Sequence, residues 1–423
     1  MSRARLAAGS TFQALRNRNY RLFFTGQVIS VSGTWMQTVA QAWLVLKLTN
    51  SGAALGLVMA LQTLPVLVGG AWGGVIADRV DRRRLLVVTG TGSGLLAITL
   101  GVLTLTGAVQ LWMVCVLAAG LGAMNMLEIP TRQAFVLDMV RREDLTNAIS
   151  LNSVIMNGGR VVGPALAGIL IAVAGIGVCF AVNAASYVAV ISALVLMRTA
   201  DLNPRQRLPR ARGQLVEGLR YVWATPALRT PLLMMAVVGT FAYEFSVTLP
   251  LLARFTFNVG AEGLGLMNSL MAAGAVVGGL ITASRARPSG RRLAMATLAF
   301  GALVLLTALA PTFWSALLLL AATGAASIFF AAMANTSIQL AASPEMRGRV
   351  MALYAVAFMG STPIGGPLVG WIGQAIDPRV ALATGGVATL AAAVMAWRSL
   401  NRHDAPSRLA LGIGDEMPLG TPA

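Results

Sequence analysis

Twelve long apolar runs succeed one another along this chain, at about 22–46, 53–77, 86–106, 111–136, 148–173, 176–197, 231–253, 263–284, 293–311, 313–339, 350–374 and 380–398. Each holds roughly the 20 residues that a helix needs to cross a bilayer. Inside hydrocarbon the backbone must satisfy its own hydrogen bonds, which leaves only helices and closed barrels. Barrel strands alternate polar and apolar residues, and these runs do not. The chain is therefore expected to be an all-α membrane protein with twelve transmembrane helices. Its 423 residues are 57% hydrophobic and only 11% charged, against about a quarter charged in soluble domains, so a soluble enzyme is not expected.

The formal charge of +17 would suit a nucleic-acid partner, but the arginines follow the membrane instead. In an arrangement with both termini inside, the N-tail carries Arg3, Arg5, Arg16, Arg18 and Arg21, and the loop after the second run carries Arg79, Arg82, Arg83 and Arg84. Arg132, Arg141 and Arg142 follow the fourth run, and Arg198, Arg205, Arg207, Arg210, Arg212, Arg220 and Arg229 fill the middle loop. Arg285, Arg287, Arg291 and Arg292 follow the eighth, Arg347 and Arg349 the tenth, and Arg398, Arg402 and Arg408 the twelfth. The other side has only Lys47, Arg254 and Arg379, while Arg160 lies within a run. Inner loops of membrane proteins collect Lys and Arg. The asymmetry implies a multi-pass protein of the inner (cytoplasmic) membrane with both termini cytoplasmic, and it accounts for the charge without nucleic acid.

Scarce residues narrow the chemistry. Cys115 and Cys179 both sit in apolar runs and read as small packed side chains rather than a disulfide framework. His403 is the one histidine, so zinc sites and imidazole relays have no material. With Lys47 as the one lysine, a phosphate-binding Gly-x-x-x-x-Gly-Lys-Ser/Thr loop cannot be written. No cofactor, no metal and no direct use of ATP are expected, and the chain is read as not an enzyme. The first 20 residues are basic and polar, so no cleaved signal peptide is expected.

The two halves of the chain repeat each other. Asn19-Tyr20-Arg21-Leu22 echoes Ala227-Leu228-Arg229-Thr230, Gly73-Gly74 echoes Gly278-Gly279, and Gly163-Pro164 echoes Gly366-Pro367, at offsets of 208, 205 and 203. That pattern fits a duplicated six-helix unit. The expected division is an N-tail over 1–21, a first six-helix bundle over 22–197, a linker over 198–230, a second bundle over 231–400 and a disordered tail over 401–423. In the linker, Leu215, Leu219, Val222 and Trp223 are spaced for a short amphipathic helix on the inner surface.

Two motifs carry more specific meaning. After the second run the chain reads Gly74-Val75-Ile76-Ala77-Asp78-Arg79-Val80-Asp81-Arg82-Arg83-Arg84. A carboxylate at a helix C-terminus faces the negative end of the dipole, so Asp78 needs a positive partner. The fifth run carries Gly159-Arg160-Val161-Val162-Gly163-Pro164-Ala165-Leu166-Ala167-Gly168. Gly159, Gly163 and Ala167 give one smooth face for close backbone approach, and Pro164 bends the helix.

Both motifs resemble those of the major facilitator superfamily. The first is similar to its Gly-x-x-x-Asp-Arg-x-Gly-Arg-Arg loop, with Asp81 in place of the second glycine. The second is similar to its antiporter motif, Gly-x-x-x-Gly-Pro-x-x-Gly-Gly, with Ala167 replacing one glycine. With Pro130-Thr131-Arg132-Gln133-Ala134 and Met346-Arg347-Gly348-Arg349-Val350, the pattern over about 12–400 resembles the branch of siderophore and drug exporters. The resemblance implies two pseudo-symmetric six-helix bundles in the major facilitator fold, working as a monomer. It also implies that Asp78 meets the start of helix 11, around Gly348 to Met351, in the outward-facing state. The loop after the eighth run, Ser284 to Arg292, is basic without a carboxylate, so such a lock would be one-sided.

Polar stripes mark where a cargo would go. Gln27, Ser30, Thr34 and Gln41 share one face of the first run, and Thr240, Glu244 and Thr248 one face of the seventh. These are either interhelical hydrogen bonds or a substrate cavity, and the resemblance, in which helices 1, 4, 7 and 10 line the cavity, favours the cavity. Two carboxylates lie well within runs, Glu128 and Glu244. Ionised groups there cost about 3 kcal/mol and are usually paired or functional. Glu128, ~12 Å from the inner end at 1.5 Å per residue, is expected to join Arg82 and Arg132 in a gate with Asp78 and Arg79. Glu244, ~20 Å deep, is expected to carry the coupling proton, with Arg160 as a counter-charge. The expected function is export of a small amphipathic molecule, siderophore-like or drug-like, by proton antiport. An importer or facilitator on the same fold is the rival reading, and a non-transporting sensor or scaffold a more distant one.

Overall fold

The computed structural model describes residues 12–202, 214–285 and 289–403, and every regular element among them is helical. Of the counted arginines, Arg3, Arg5, Arg205, Arg207, Arg210, Arg212, Arg287 and Arg408 lie outside the described residues, as does the expected tail from 404 on. In chain order the helices are α1 (Arg18–Thr49), α2 (Gly52–Arg79), α3 (Arg82–Leu105), α4 (Leu111–Met139), α5 (Leu145–Ala174), α6 (Ile176–Val195), α7 (Gln214–Ala224), α8 (Pro226–Phe241) and α9 (Phe245–Leu251). A π-turn over Leu252–Thr256 extends α9, and then follow α10 (Ala261–Arg285), α11 (Gly290–Ala308), α12 (Phe313–Ala341), α13 (Arg347–Met359), α14 (Thr362–Ala375) and α15 (Pro378–His403).

Eleven helical stretches among the described residues are long and apolar enough to cross a membrane, counting α8 with α9 and α13 with α14 as one crossing each. The first expected crossing falls on α1. That helix is 32 residues long, but its glutamines, serines and threonines leave it less apolar than the rest. Two expected helices prove to be broken. The run 231–253 is interrupted at Ala242–Glu244 and the run 350–374 at Gly360–Ser361. The last helix also outlasts its expected end, reaching His403.

Tight joints keep the helices antiparallel. Asn50 adopts the left-handed conformation after α1, and Ser51 then caps α2 by accepting from the Ala54 amide. Asp81 caps α3 by accepting from the Arg84 amide. The arginine-rich loops gather at one end. There Arg83 donates to the Leu194 carbonyl at 2.6 Å, Asn17 to Met139 at 2.7 Å and Tyr20 to Ala148 at 2.8 Å. The linker helix α7 docks at the same end, where Arg349 of α13 meets Glu217 at 2.7 Å and Val222 is buried while Leu219 and Trp223 stay exposed.

The sequence repeat recurs as repeated packing. A Cβ at Gly73 of α2 would strike the Met126 carbonyl of α4, and one at Gly278 of α10 the Ala325 carbonyl of α12. Gly163 of α5 rests on the Ser32 carbonyl of α1, and in α14 it is Gly365, one residue before the repeat position Gly366, that rests on the Thr240 carbonyl of α8. Small residues at these crossings let backbones touch, which drives association where lipid offers no hydrophobic gain.

Two seams join the halves. In one, Gly52 and Gly56 of α2 lie against Gly370 and Gly366 of α14. In the other, α5 meets α10, where a Cβ at Gly168 would lie 2.9 Å from Glu262 Cα and Ser269 donates to the Val161 carbonyl at 2.8 Å. The end with few arginines is stitched by Ser51 donating to Gln374 and Arg254 to Asn50, each at 2.5 Å. Towards the arginine-rich end the packing gives out. A Cβ at Gly70 of α2, Gly158 of α5 or Gly348 of α13 would meet nothing within 4 Å. The halves are closed at the arginine-poor end and part towards the other.

Candidate functional site

Glu244 sits where two helices break. Its own crossing stops at Phe241, and the Ala242 and Tyr243 amides both turn back onto the Val238 carbonyl, at 2.8 and 3.1 Å. Glu244 then starts α9, its φ,ψ of −81° and 36° outside the helical range. Opposite, α13 ends at Met359 and α14 restarts at Thr362 with Pro363 in its first turn, a position where proline costs no hydrogen bond. The Glu244 carboxylate lies beside Gly365 and Gly366 of that first turn, with the Thr362 hydroxyl as polar neighbour. A side chain at Gly365 would occupy its space, 2.8 Å from Oε1. The dipole of α14 presents its positive end here. Glu244 is only 2% exposed, and its Oε1 is buried without a hydrogen-bond partner. Gly366 also touches Gly56 of α2, so the carboxylate lies directly beneath the seam between halves.

Arg160 does not meet Glu244: among the described residues no acidic oxygen comes within 4.0 Å of its guanidinium. It projects from α5 and stacks over the Trp35 ring of α1, 4.7 Å from the centroid. Across the gap, Tyr243 lies within electrostatic reach of Arg160. Tyr243 donates to the Ser327 carbonyl at 2.7 Å and anchors an aromatic wall, edge-on to Phe358 at 5.1 Å, with Phe358 stacked on Tyr354.

The expected gate is rearranged. Arg82 pairs with Asp138 at 2.7 Å and with Asp78 at 3.4 Å, and both Arg82 and Asp138 side chains are 12% exposed. Glu128 joins neither Arg82 nor Arg132 in an ion pair. It stands ten residues before Asp138 on α4, about 15 Å along the axis at 1.5 Å per residue, out of reach of an arginine held at the helix end. Arg132 instead donates to Gln27 Oε1 at 3.4 Å. Glu128 lies within electrostatic reach of both Arg132 and Tyr187 of α6 without an ion pair to either arginine. Asp78 does not reach Gly348 in this conformation, where the space beside that glycine is open, and Arg79 is exposed.

The stripe on α1 bonds partly to neighbouring helices and partly within α1. Gln41 donates to Gln62 of α2 at 3.0 Å, Thr34 bonds the Ser30 carbonyl at 3.0 Å, and Gln27, Ser30 and Gln41 are buried. Next to it Asn183 of α6 donates to Gln37 at 2.6 Å. Thr248 is buried on its own helix, bonding the Glu244 carbonyl at 3.2 Å, and Thr240 bonds Ala236 at 2.8 Å. In the motif of α5, Gly159 and Gly163 pack on α1, whereas Pro164 and Gly168 pack on α10. The motif is therefore the place where both seams of α5 meet. Sequence reading missed Asp138, although the helix-dipole argument used for Asp78 applies to it equally, and it missed Trp35 and Tyr243, which carry no sequence signal beyond being aromatic.

The two broken helices pack against each other within the second half, with the contact between Gly366 and Gly56 of α2 beside them. The chain belongs to the transmembrane secretion effector family of major facilitator transporters, whose family description matches residues 9–409. It is 28% identical over 265 residues to the staphyloferrin A transporter of Staphylococcus aureus, covering 62% of this chain and 66% of that one. It is 29% identical over 355 residues to the multidrug efflux pump Tap of Mycolicibacterium fortuitum, covering 81% and 86%. To the enterobactin exporter EntS of Shigella flexneri it is 26% identical over 380 residues, covering 89% and 90%. Among solved structures, the bacterial homologue of the human lysosomal transporter Spinster, in its inward-facing and unoccupied conformation, superposes with a TM-score of 0.68 at 15% identity, covering 92% and 97%. The protein is a multi-pass secondary membrane transporter.

Proposed function

We propose that this transporter exports a small amphipathic molecule, siderophore-like or drug-like, in exchange for protons, and that Glu244 carries the proton. With the arginine-rich end in the cytoplasm, in the inner membrane and with both termini inside, the conformation described is open inward and sealed outward. The observation that carries the reading is the Glu244 carboxylate, 2% exposed under the seam of α2 and α14 with an unsatisfied Oε1. An ionised carboxylate in that dry junction would have neither water nor a cation, so the shut seam goes with the protonated acid. Parting the seam on the outer side wets Glu244 and changes its protonation, which ties seam movement to proton movement. Asp78 joins the start of α13 only when the inner ends close, and the Arg82–Asp138 pair holds the loop that presents it. Glu128 tunes the first bundle from within and does not take part in coupling.

Inside-out vesicles with an acid interior test this. A panel of fluorescent amphiphiles of negative, zero and positive charge is offered, and accumulation of any member that requires the gradient and disappears in Glu244→Gln supports the proposal. Gradient-driven accumulation that survives in Glu244→Gln, or none in the unaltered protein, contradicts it.

A further inference from the structure

The coupling reading leaves one ionisable group at mid-depth unused, namely Arg160. It stands fifteen residues into α5, about 22 Å from the start of that helix at 1.5 Å per residue, beyond the reach of lipid headgroups. An arginine guanidinium has five donors and cannot lose its charge. Here it is exposed in the gap between the halves, stacked on Trp35, with no hydrogen bond to any described residue and no carboxylate within 4.0 Å. Neither carboxylate of comparable depth pairs with it: Glu244 is turned to α14, and the charge nearest Glu128 is Arg132. Stacking on Trp35 fixes the plane of the guanidinium and leaves its edge facing the gap. A fixed planar fork of donors matches the two oxygens of a carboxylate. In the other half Tyr243, within electrostatic reach of Arg160, begins an edge-to-face and stacked row of rings that continues through Phe358 to Tyr354.

We infer that Arg160 is the anion-binding residue of the transport path, and that the molecules carried bear a carboxylate or similar planar oxyanion on an aromatic body. This substrate class rests on the export reading above, but the site itself does not require proton coupling. The body lies against the Tyr243–Phe358 wall while the oxyanion takes the Arg160 fork, so one ligand bridges both halves of the transporter. Trp35 is a positioning residue, setting the guanidinium plane without touching the ligand.

Direct binding to the purified full-length protein in lipid nanodiscs, with empty nanodiscs subtracted and no gradient imposed, tests the inference. The probes are 2-naphthoate, its neutral counterpart 2-naphthamide and the cation trimethyl(2-naphthyl)ammonium. Expected is saturable binding of 2-naphthoate at least about tenfold tighter than either other probe. Arg160→Gln is expected to weaken 2-naphthoate by about 10- to 100-fold, the range for a lost charged hydrogen bond, and to leave 2-naphthamide within about twofold. Arg160→Lys keeps the charge and guards against a folding defect. It should bind 2-naphthoate more weakly than the unaltered protein, because it loses both fork and stack, and Trp35→Leu should do likewise. Equal binding of 2-naphthoate by Arg160→Gln and the unaltered protein, a preference for the cation or the amide, or no saturable 2-naphthoate binding would overturn the inference. Each of these results leaves the vesicle experiment on Glu244 standing, so the two failures are distinguishable.

Discussion

Replacing Gly163 by alanine adds one methyl group to the place where α5 crosses α1. Its Cβ would lie 2.6 Å from both the Ser32 carbonyl oxygen and Trp35 Cβ, and 3.0 Å from the Met36 nitrogen. Ordinary contact begins near 3.4 Å, so α5 must retreat by about 0.8 Å, and two of the three obstructing atoms are backbone that cannot swing aside. Overpacking of this kind costs about 1–3 kcal/mol. The neighbouring Gly158, where an added Cβ meets nothing within 4 Å, is the internal control. Thermal unfolding of the two variants in one detergent should show a clear loss of Tm for Gly163→Ala and little change for Gly158→Ala. Gly163→Leu should abolish transport outright. Equal Tm for the two alanine variants, or normal transport by Gly163→Leu, would refute the claim that the α5 motif is a close-packed crossing.

Asp138→Asn should destabilise more than Asp78→Asn, since removing one partner of a mostly buried pair costs about 3–5 kcal/mol while an exposed pair contributes about 1 kcal/mol or less; paired unfolding curves check the order. Asp78→Asn should leave insertion intact yet shift the labelling of cysteines introduced at the two ends, because the outward-facing state loses its contact with α13. Glu128→Gln should slow transport without moving its pH dependence, which pH profiles of uptake measure. Gln41→Leu should cost about 1 kcal/mol by leaving the half-buried Gln62 Oε1 without its donor, again read from unfolding.

Hydropathy located eleven of the twelve expected crossings, because a backbone in lipid must be helical and the apolar runs are long. It could not separate a whole helix from a broken one. The break at Gly360–Ser361 had a signal, since Gly360-Ser361-Thr362-Pro363 is a turn sequence inside an apolar run. The break at Ala242–Glu244 had none: no glycine or proline lies there, and the chain turns because tertiary packing holds Tyr243 against Ser327 and Glu244 against α14. The polar stripe on α1 was legible as a stripe, but which neighbour it faces depends on helix rotation, which the spacing of residues within one helix does not encode. Charge pairs failed for a related reason. Arg82 was expected to meet Glu128, but the carboxylate of α4 at the depth of Arg82 is Asp138, which pairs with it beside Asp78.

The central claim, that the protonation of Glu244 governs the seam of α2 and α14, can be read without knowing the cargo. Spin labels at Thr106 and Ile376, exposed positions of the two halves at the arginine-poor end, report the seam as a distance distribution once Cys115 and Cys179 have been replaced. Raising the pH should populate longer distances in the otherwise unaltered protein, as deprotonated Glu244 leaves its dry junction, whereas Glu244→Gln should keep the short distance at every pH. A pH-driven opening that persists in Glu244→Gln would contradict the account.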